Sequence, residues 1–425
     1  MSSVPESLQG LPVVLIGAGP AGLAAAAHLA DRGIEFVVFE AGESAGAFVS
    51  DWAHVRLFSP WSELVDPVAA GMLKEEGWEM PDASGIPTGA ELVAEYLTPL
   101  AQLRRLAPSI RYGTRVTFLT RRGHDKVKTG TRSDEPFVVT VETAAGVQRH
   151  LASAVIDASG TWAHHNPLGA DGTPAIGEVE SADRISYGLP DVLGSGRNRF
   201  AGNRVLVVGA GHSAANVILD LLALQSTEPG TEVVWAVRRD DVASAFGGGD
   251  DDQLEARGAL GNRLRGAAER GAVELVTGFA VEAVGDVDGR LEVTGLDGRR
   301  LVVDQVIAST GQRPDLTMTR ELRLDLDPWL ESPRRLAPLI DPNEHSCGTV
   351  PPHGADVLSH PEDRFYTVGI KSYGRAPTFL TLTGYEQVRS VVASLAGDTA
   401  SAARIELLLP ETGVCSGGAD QSSCS

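Results

Sequence analysis

The feature that most constrains this chain is a pattern of strand, glycine turn, helix and strand that occurs twice. The first copy is Pro12-Val-Val-Leu-Ile-Gly-Ala-Gly-Pro-Ala-Gly22, followed by an alanine-rich segment to Arg32 and an apolar run over residues 34–40. The second is Arg204-Val-Leu-Val-Val-Gly-Ala-Gly-His-Ser-Ala214, followed by residues 215–224 and a second apolar run over 232–238. Apolar runs without alternation suit strands of a parallel sheet covered on both faces. Two further runs end in small-residue turns, residues 154–160 and 302–311, and each reads as a strand near which the chain leaves one domain for the other. Shorter runs at 137–142 and 291–294 flank the turn signals Ala145-Gly146 and Asp297-Gly298 and read as antiparallel ribbons. The expected fold class is α/β: two Rossmann-like dinucleotide-binding domains, each three-layered around a mostly parallel sheet, one inserted into the other.

The spacing of the first turn has a chemical meaning. Gly17, Gly19 and Gly22 fit G-x-G-x-x-G between a strand and a helix. Gly17 permits the turn, Gly19 lets a pyrophosphate approach the backbone, and Gly22 lets the helix pack close to the strand. Pro20 and Ala21 complete the cradle, and the helix N-terminus offers free N–H groups to phosphate. Glu40 ends the second strand, about 20 residues past the motif, where a carboxylate accepts ribose hydroxyls. A free acid disfavours a 2′-phosphate, so this site suits FAD or NAD.

The second turn, with Gly209, Gly211 and Ala214, fits the G-x-G-x-x-A variant, and His212 and Ser213 lie inside it. Its second strand ends in Trp235-Ala-Val-Arg-Arg239 with no acid. Arg238 or Arg239 can pair with a 2′-phosphate, which favours NADPH over NADH.

Composition narrows the partners. The chain has 425 residues, enough for two domains, with 36 basic against 56 acidic residues and a net charge of −20. That excess repels nucleic acid and anionic membranes. The most apolar stretch, residues 11–27, is broken by three glycines and Pro20 and falls short of a membrane span, and the polar N-terminus is unlike a secretory signal. The three cysteines, Cys347, Cys415 and Cys424, cannot make a disulfide framework, so a cytoplasmic location is expected. No metal site is expected, and the oligomeric state is left open. Residues 194–203 read as a hinge, 247–252 as an exposed loop and 411–425 as a disordered tail. The expected boundaries are 11–195 with 315–410 for the FAD domain and 196–314 for the NADPH domain.

The double motif, the small-residue turns after Ile156 and Ile307 (the second containing Gly311) and the inserted domain resemble the two-dinucleotide-binding-domain flavoproteins. Within them the match is closest to flavin-containing monooxygenases and their N-hydroxylating relatives. Phe200-Ala-Gly-Asn-Arg-Val-Leu-Val-Val-Gly209 resembles the lead-in to their NADPH motif, and Ser213 stands where serine is frequent. There are departures. In the Phe-x-Gly-x-x-x-His fingerprint, Ser181 of Pro174-Ala-Ile-Gly-Glu-Val-Glu-Ser181 takes the histidine position. Trp52 follows a single Gly46, and after the strand at 365–369 come Ile370 and Lys371 instead of an acid.

By resemblance, the segment from Lys371 to Leu380 and the helix opened by Gly384 face the flavin pyrimidine ring, with the helix dipole stabilising reduced flavin. Lys371, Tyr373 and Arg375 are then candidate catalytic residues. Trp52, His54, Arg56 and Ser59 form a second patch, with His54 the catalytic candidate and Trp52 and Arg56 cofactor contacts. The resemblance implies an NADPH-consuming monooxygenase working through a flavin C4a-(hydro)peroxide, with dioxygen and a small nitrogen or sulfur nucleophile, or a carbonyl compound, as substrates. A thiol–disulfide reductase is the alternative, although neither C-x-x-C nor C-x4-C occurs. Leu409-Pro-Glu-Thr-Gly-Val-Cys415 resembles flavoproteins encoded beside arsenic-resistance genes, which points the alternative to thiophilic or arsenical substrates and to Cys415 and Cys424. A non-catalytic flavin-binding scaffold is a third reading.

Overall fold

The computed structural model describes residues 5–249, 252, 254–344, 350–377 and 379–407. The described chain forms two compact units, residues up to 163 with those from 313 onward, and residues 164–312.

The first unit is built on a five-stranded parallel sheet in the order Phe365–Thr367, Ala154–Asp157, Val13–Ile16, Phe36–Phe39 and Ile110–Arg111. Successive strand side chains point to opposite faces, and the core divides accordingly. Val13, Leu15, Val38 and Ile156 pack with the helices Pro20–Asp31 and Thr381–Leu395. Val14, Ile16, Phe39, Val155 and Phe365 pack with Leu119, Phe137, Val139 and Val141 of an antiparallel sheet, Arg115–Arg121, Phe137–Thr143 and Gly146–Ala152. The alanines at 24–27 are fully buried, and their small side chains let the first helix lie close to its neighbours.

The second unit repeats the plan. Its parallel sheet runs Glu274–Val276, Glu232–Ala236, Arg204–Val208, Gln305–Ala308 and Ile185–Tyr187. Leu206, Val208, Val234, Ala236 and Val306 face an antiparallel sheet of Val281–Val287, Arg290–Gly295 and Arg300–Val303. The helix His212–Thr227 contacts the two strands that precede and follow it and packs beside Glu255–Glu269.

Four features depart from the sequence reading. The units cross over at residue 164, because Ile185–Tyr187 pairs with Gln305–Ala308 and so belongs to the second sheet. Residues 194–203 lie within the second unit, not between the two, and hold the short helix Arg197–Phe200, whose Phe200 is fully buried. The run at 302–311 is divided at Asp304, where the chain passes from the antiparallel into the parallel sheet. The Asp304 N–H bonds the Arg204 carbonyl, and its carboxylate takes the Arg204 N–H and the Arg290 guanidinium. Ser153 makes the same passage in the first unit, bonding the Pro12 carbonyl. In the loop at 247–252, Asp252 is buried and pairs with Arg257. The tail at 411–425 lies outside the described residues, as do all three cysteines. Among the described residues no helix is long and apolar enough to cross a membrane.

His360 sits beside Phe365 with its Nδ1 accepting the Asp325 N–H, and burial pushes its pKa down from 6.5 to about 4. Between those values the unfolded chain binds the proton and the folded chain does not, so stability is full above pH 6.5 and declines as pH falls toward 4. The decline is expected to reach on the order of 3 kcal/mol. Denaturant titrations at pH 7 and pH 4.5 should show it in the wild type and show less of it in His360→Gln; equal slopes would contradict the assignment.

Candidate functional site

The parallel strands of the first unit all end at one edge, the position where open α/β sheets bind ligands. There the Val13–Ile16 strand breaks at Gly17, whose φ of +97° suits glycine and whose added Cβ would stand 2.8 Å from the Ala158 carbonyl oxygen. A Cβ on Gly22 would stand 2.0 Å from the Gly17 carbonyl oxygen, so the helix rests directly on the turn. Gly19 differs: a Cβ there would meet nothing within 4 Å. It is the N-cap of Pro20–Asp31 and offers no side-chain cap. The N–H groups of Gly19, Ala21 and Gly22 meet no acceptor among the described residues. Unbonded donors around open space form an anion cradle. Glu40 is buried beside it and accepts the N–H groups of Ala18 and Gly42 at 2.6 and 2.7 Å. Both oxygens of this carboxylate thus organise the turn. These residues fit a dinucleotide.

Two neighbouring strand ends line the same edge. Ala154–Asp157 ends in Asp157, fully buried, which takes the Ser159 N–H and hydroxyl at 3.1 and 2.7 Å. Lys371 reaches it from the turn Gly369–Tyr373, its Nζ 2.8 Å from Asp157 Oδ2 and 2.9 Å from Ser159 Oγ. Lys371 is therefore a buried, ion-paired residue that ties two strand-end turns together. Tyr373 is buried as well, its ring edge-on to Phe379 at 4.9 Å, and burial raises its hydroxyl pKa above the ordinary range. Arg375 is exposed. Gly384 lies in the first turn of Thr381–Leu395, where a Cβ would press on Phe379 at 2.9 Å, and the N-cap Leu380 supplies no side-chain acceptor to that helix.

The patch after the second strand is held structurally. Trp52 is half-buried, tilted against Trp162 at 6.3 Å, and leaves room only for glycine at Gly89. Arg56 is exposed, bonds the Ile86 carbonyl and lies 3.9 Å from Glu91; His54 is exposed and Ser59 half-buried.

In the second unit the turn is built the same way. A Cβ on Gly209 would stand 2.2 Å from the Ser309 carbonyl oxygen, while Gly211, the N-cap of His212–Thr227, faces open space. The buried Trp235 indole donates to the Gly209 carbonyl at 2.8 Å and fixes the bend from below. Ala214 is buried, and His212 and Ser213 are half-buried at the helix start. Burial lowers the His212 pKa, with the nearby Arg257 charge acting in the same direction. Arg238 and Arg239 are exposed beyond the strand end, Arg238 donating to the Ala170 carbonyl at 3.0 Å. Gly311, with φ +87°, closes a turn pinned to Asn166, whose N–H bonds the Gly311 carbonyl.

Sequence reasoning missed Asp157 and Ser159, although an acid inside an otherwise apolar strand was a visible signal. It missed Trp235 as a turn clamp and the buried polar chain of Gln387, Ser372 and His353, which carry no local signal.

A profile of the pyridine nucleotide-disulphide oxidoreductases matches residues 14–346. The chain belongs to this family. Among solved structures, bacillithiol disulfide reductase from Bacillus cereus is similar with a TM-score of 0.66 at 18% identity, covering 90% of this chain and 99% of that one. A double-mutant flavin monooxygenase from Stenotrophomonas maltophilia gives 0.58 at 25% identity over 91% and 99%. An ornithine N-hydroxylase from Kutzneria, in a complex with reduced FAD, NADP+ and L-ornithine, gives 0.58 at 18% identity over 91% and 99%. No curated protein matches the sequence. The fold and the flavoprotein oxidoreductase class agree with the sequence reading, and the neighbours include both monooxygenases and disulfide reductases.

Proposed function

We propose that the first unit binds FAD, that the second binds NADPH, and that the protein is a monooxygenase of small substrates bearing a nucleophilic nitrogen or sulfur, or a carbonyl. The observation that carries this reading is the pair of glycine N-caps, Gly19 and Gly211, each facing open space at the start of a helix without a side-chain cap. When bound, FAD supplies a two-electron carrier between the nicotinamide and dioxygen.

The protein's own part is to bind and orient. The N–H groups of Gly19, Ala21 and Gly22 hold the diphosphate, and Glu40 holds the adenosine ribose. The Asp157–Lys371 pair fixes the turns beside them and makes Lys371 a positioning residue. Tyr373 is a poor acid because burial keeps its proton on the hydroxyl, so its role is packing. The uncapped start of Thr381–Leu395 favours negative charge in its vicinity. Oxygenation is favoured over thiol exchange because the sequence lacks the C-x-x-C and C-x4-C spacings.

The test is NADPH oxidation by the purified protein in air. Oxygen uptake stimulated by a small amine, thioether or ketone supports the reading. Reduction of a disulfide reagent to its thiols, lost in Cys415→Ser or Cys424→Ser, would replace it with a reductase, and an absence of turnover with any electron acceptor would leave a scaffold. For the nucleotide, Arg238→Ala should raise the NADPH KM about tenfold, the worth of a charge-assisted pair, and leave NADH nearly unchanged. Equal effects on both would remove the 2′-phosphate contact.

A further inference from the structure

Within the first unit, one set of buried polar side chains forms a closed chain that the cofactor reading does not use. Gln387, fully buried in Thr381–Leu395, accepts the Gly369 N–H on Oε1 at 2.8 Å. Its Nε2 donates to Ser372 Oγ at 2.9 Å and faces His353 Nε2 at the same distance. Ser372 Oγ in turn donates to the Gly369 carbonyl at 2.7 Å. His353 Nδ1 lies 3.0 Å from the Pro351 carbonyl, which only accepts, so Nδ1 carries the proton and Nε2 is free to accept from Gln387. Burial also lowers the His353 pKa, in keeping with a neutral ring.

This chain acts on one place. Gly369 has a φ of +70°, and a Cβ there would stand 3.0 Å from the Ala21 side chain. Ala21 belongs to the helix start whose N–H groups are open. Gln387 thus bonds both directly and through Ser372 to the turn that abuts the cradle, and none of its polar contacts is spent on its own helix. A buried amide is costly unless each of its groups is bonded; here Oε1 and Nε2 both are, and a methionine of similar volume would leave the Gly369 N–H without its acceptor.

We propose that Gln387 is a positioning residue: through Gly369 and Ser372 it holds the turn Gly369–Tyr373 against Ala21 and so sets the crevice that receives FAD. The inference rests on the reading that the first unit binds FAD.

The test compares the full-length wild type with Gln387→Met, Ser372→Ala and Leu119→Ala. Leu119 is a buried residue of the antiparallel sheet, in the core cluster on the face of the parallel sheet opposite Thr381–Leu395. Three quantities are read: the FAD Kd by fluorescence titration, the Tm of the flavin-free protein, and the visible circular dichroism of bound flavin. Gln387→Met should raise the Kd about tenfold and Ser372→Ala about threefold, in line with lost buried hydrogen bonds, and both should change the flavin dichroism. Leu119→Ala should lower Tm at least as much while leaving Kd and dichroism as in the wild type. If Gln387→Met does not fold, Ser372→Ala decides. Wild-type Kd and dichroism in the turn variants, or an equal Kd rise in Leu119→Ala, overturns the positioning role alone. A wild type that takes up no FAD overturns the cofactor assignment and the role together.

Discussion

Gly19→Val is expected to leave the chain folded and unable to hold FAD. Glycine is required at three positions of the first turn for different physical reasons, and the structure separates them. At Gly17 and Gly22 an added Cβ collides with backbone oxygen, 2.8 Å away in one case and 2.0 Å in the other, so substitution there disrupts the turn itself. At Gly19 φ is −82° and ψ −173°, which any residue adopts, and no protein atom lies within 4 Å of the added Cβ. A valine therefore costs the fold little and places its methyl groups in the space in front of the Gly19, Ala21 and Gly22 N–H groups. Loss of the diphosphate contact should weaken FAD by more than about a hundredfold, because several charge-assisted bonds go together. Isolated Gly19→Val protein should be colourless with a Tm within a few degrees of the wild-type apoprotein. A yellow variant would remove the cradle from the account, whereas Gly22→Val should fail to fold and so serves as the contrast.

The second large effect concerns stability. Glu362 is buried between two arginines, 2.7 Å from Arg121 and 3.0 Å from Arg132, and also accepts the Arg323 N–H at 2.9 Å. Arg121 is almost wholly buried, its guanidinium 3.6 Å above the Phe137 ring. The group joins the antiparallel sheet to the segment before the Phe365–Thr367 strand. Glu362→Gln leaves two buried cations without their counter-charge, and breaking such a pair costs about 3–5 kcal/mol. For a domain of this size that corresponds to a Tm lower by roughly 6–20 °C. Burial opposes ionisation of Glu362, but its hydrogen bonds and the arginine charges prevail and hold its pKa below 4.5. Its contribution is thus present above pH 4.5 and is lost as pH falls through the lower folded value. Calorimetry at pH 7 and pH 3 checks both points: the variant should be much the weaker at pH 7 and the gap should narrow in acid. An unchanged Tm at pH 7 would show that the cluster contributes nothing.

The two parallel sheets were legible in the sequence because their signals are local. Apolar runs at 12–16 and 204–208, glycines at fixed offsets and the following helices sit within a few dozen residues of one another. The ribbon at 137–142 was legible for the same reason, from a short apolar run beside a turn signal. What escaped is long-range. Lys371 is a catalytic candidate in the sequence by resemblance alone; its partner Asp157 lies more than two hundred residues away and only the sheet order brings them together. Arg121 and Glu362 likewise meet only in the folded chain. Unit boundaries were misjudged because the short strand Ile185–Tyr187 has no periodicity to announce it, and its allegiance is decided by a sheet edge formed much later in the chain.

The most direct measurement of the central claim is anaerobic mixing of the purified, flavin-loaded protein with one equivalent of NADPH while the visible flavin absorption is followed. The account predicts that the protein carries FAD and that its yellow band bleaches in a single-turnover reaction that is abolished in Gly19→Val for lack of flavin and slowed in Arg238→Ala at low NADPH. A protein that holds no FAD, or one whose bound FAD stays oxidised with either nicotinamide nucleotide, would contradict it.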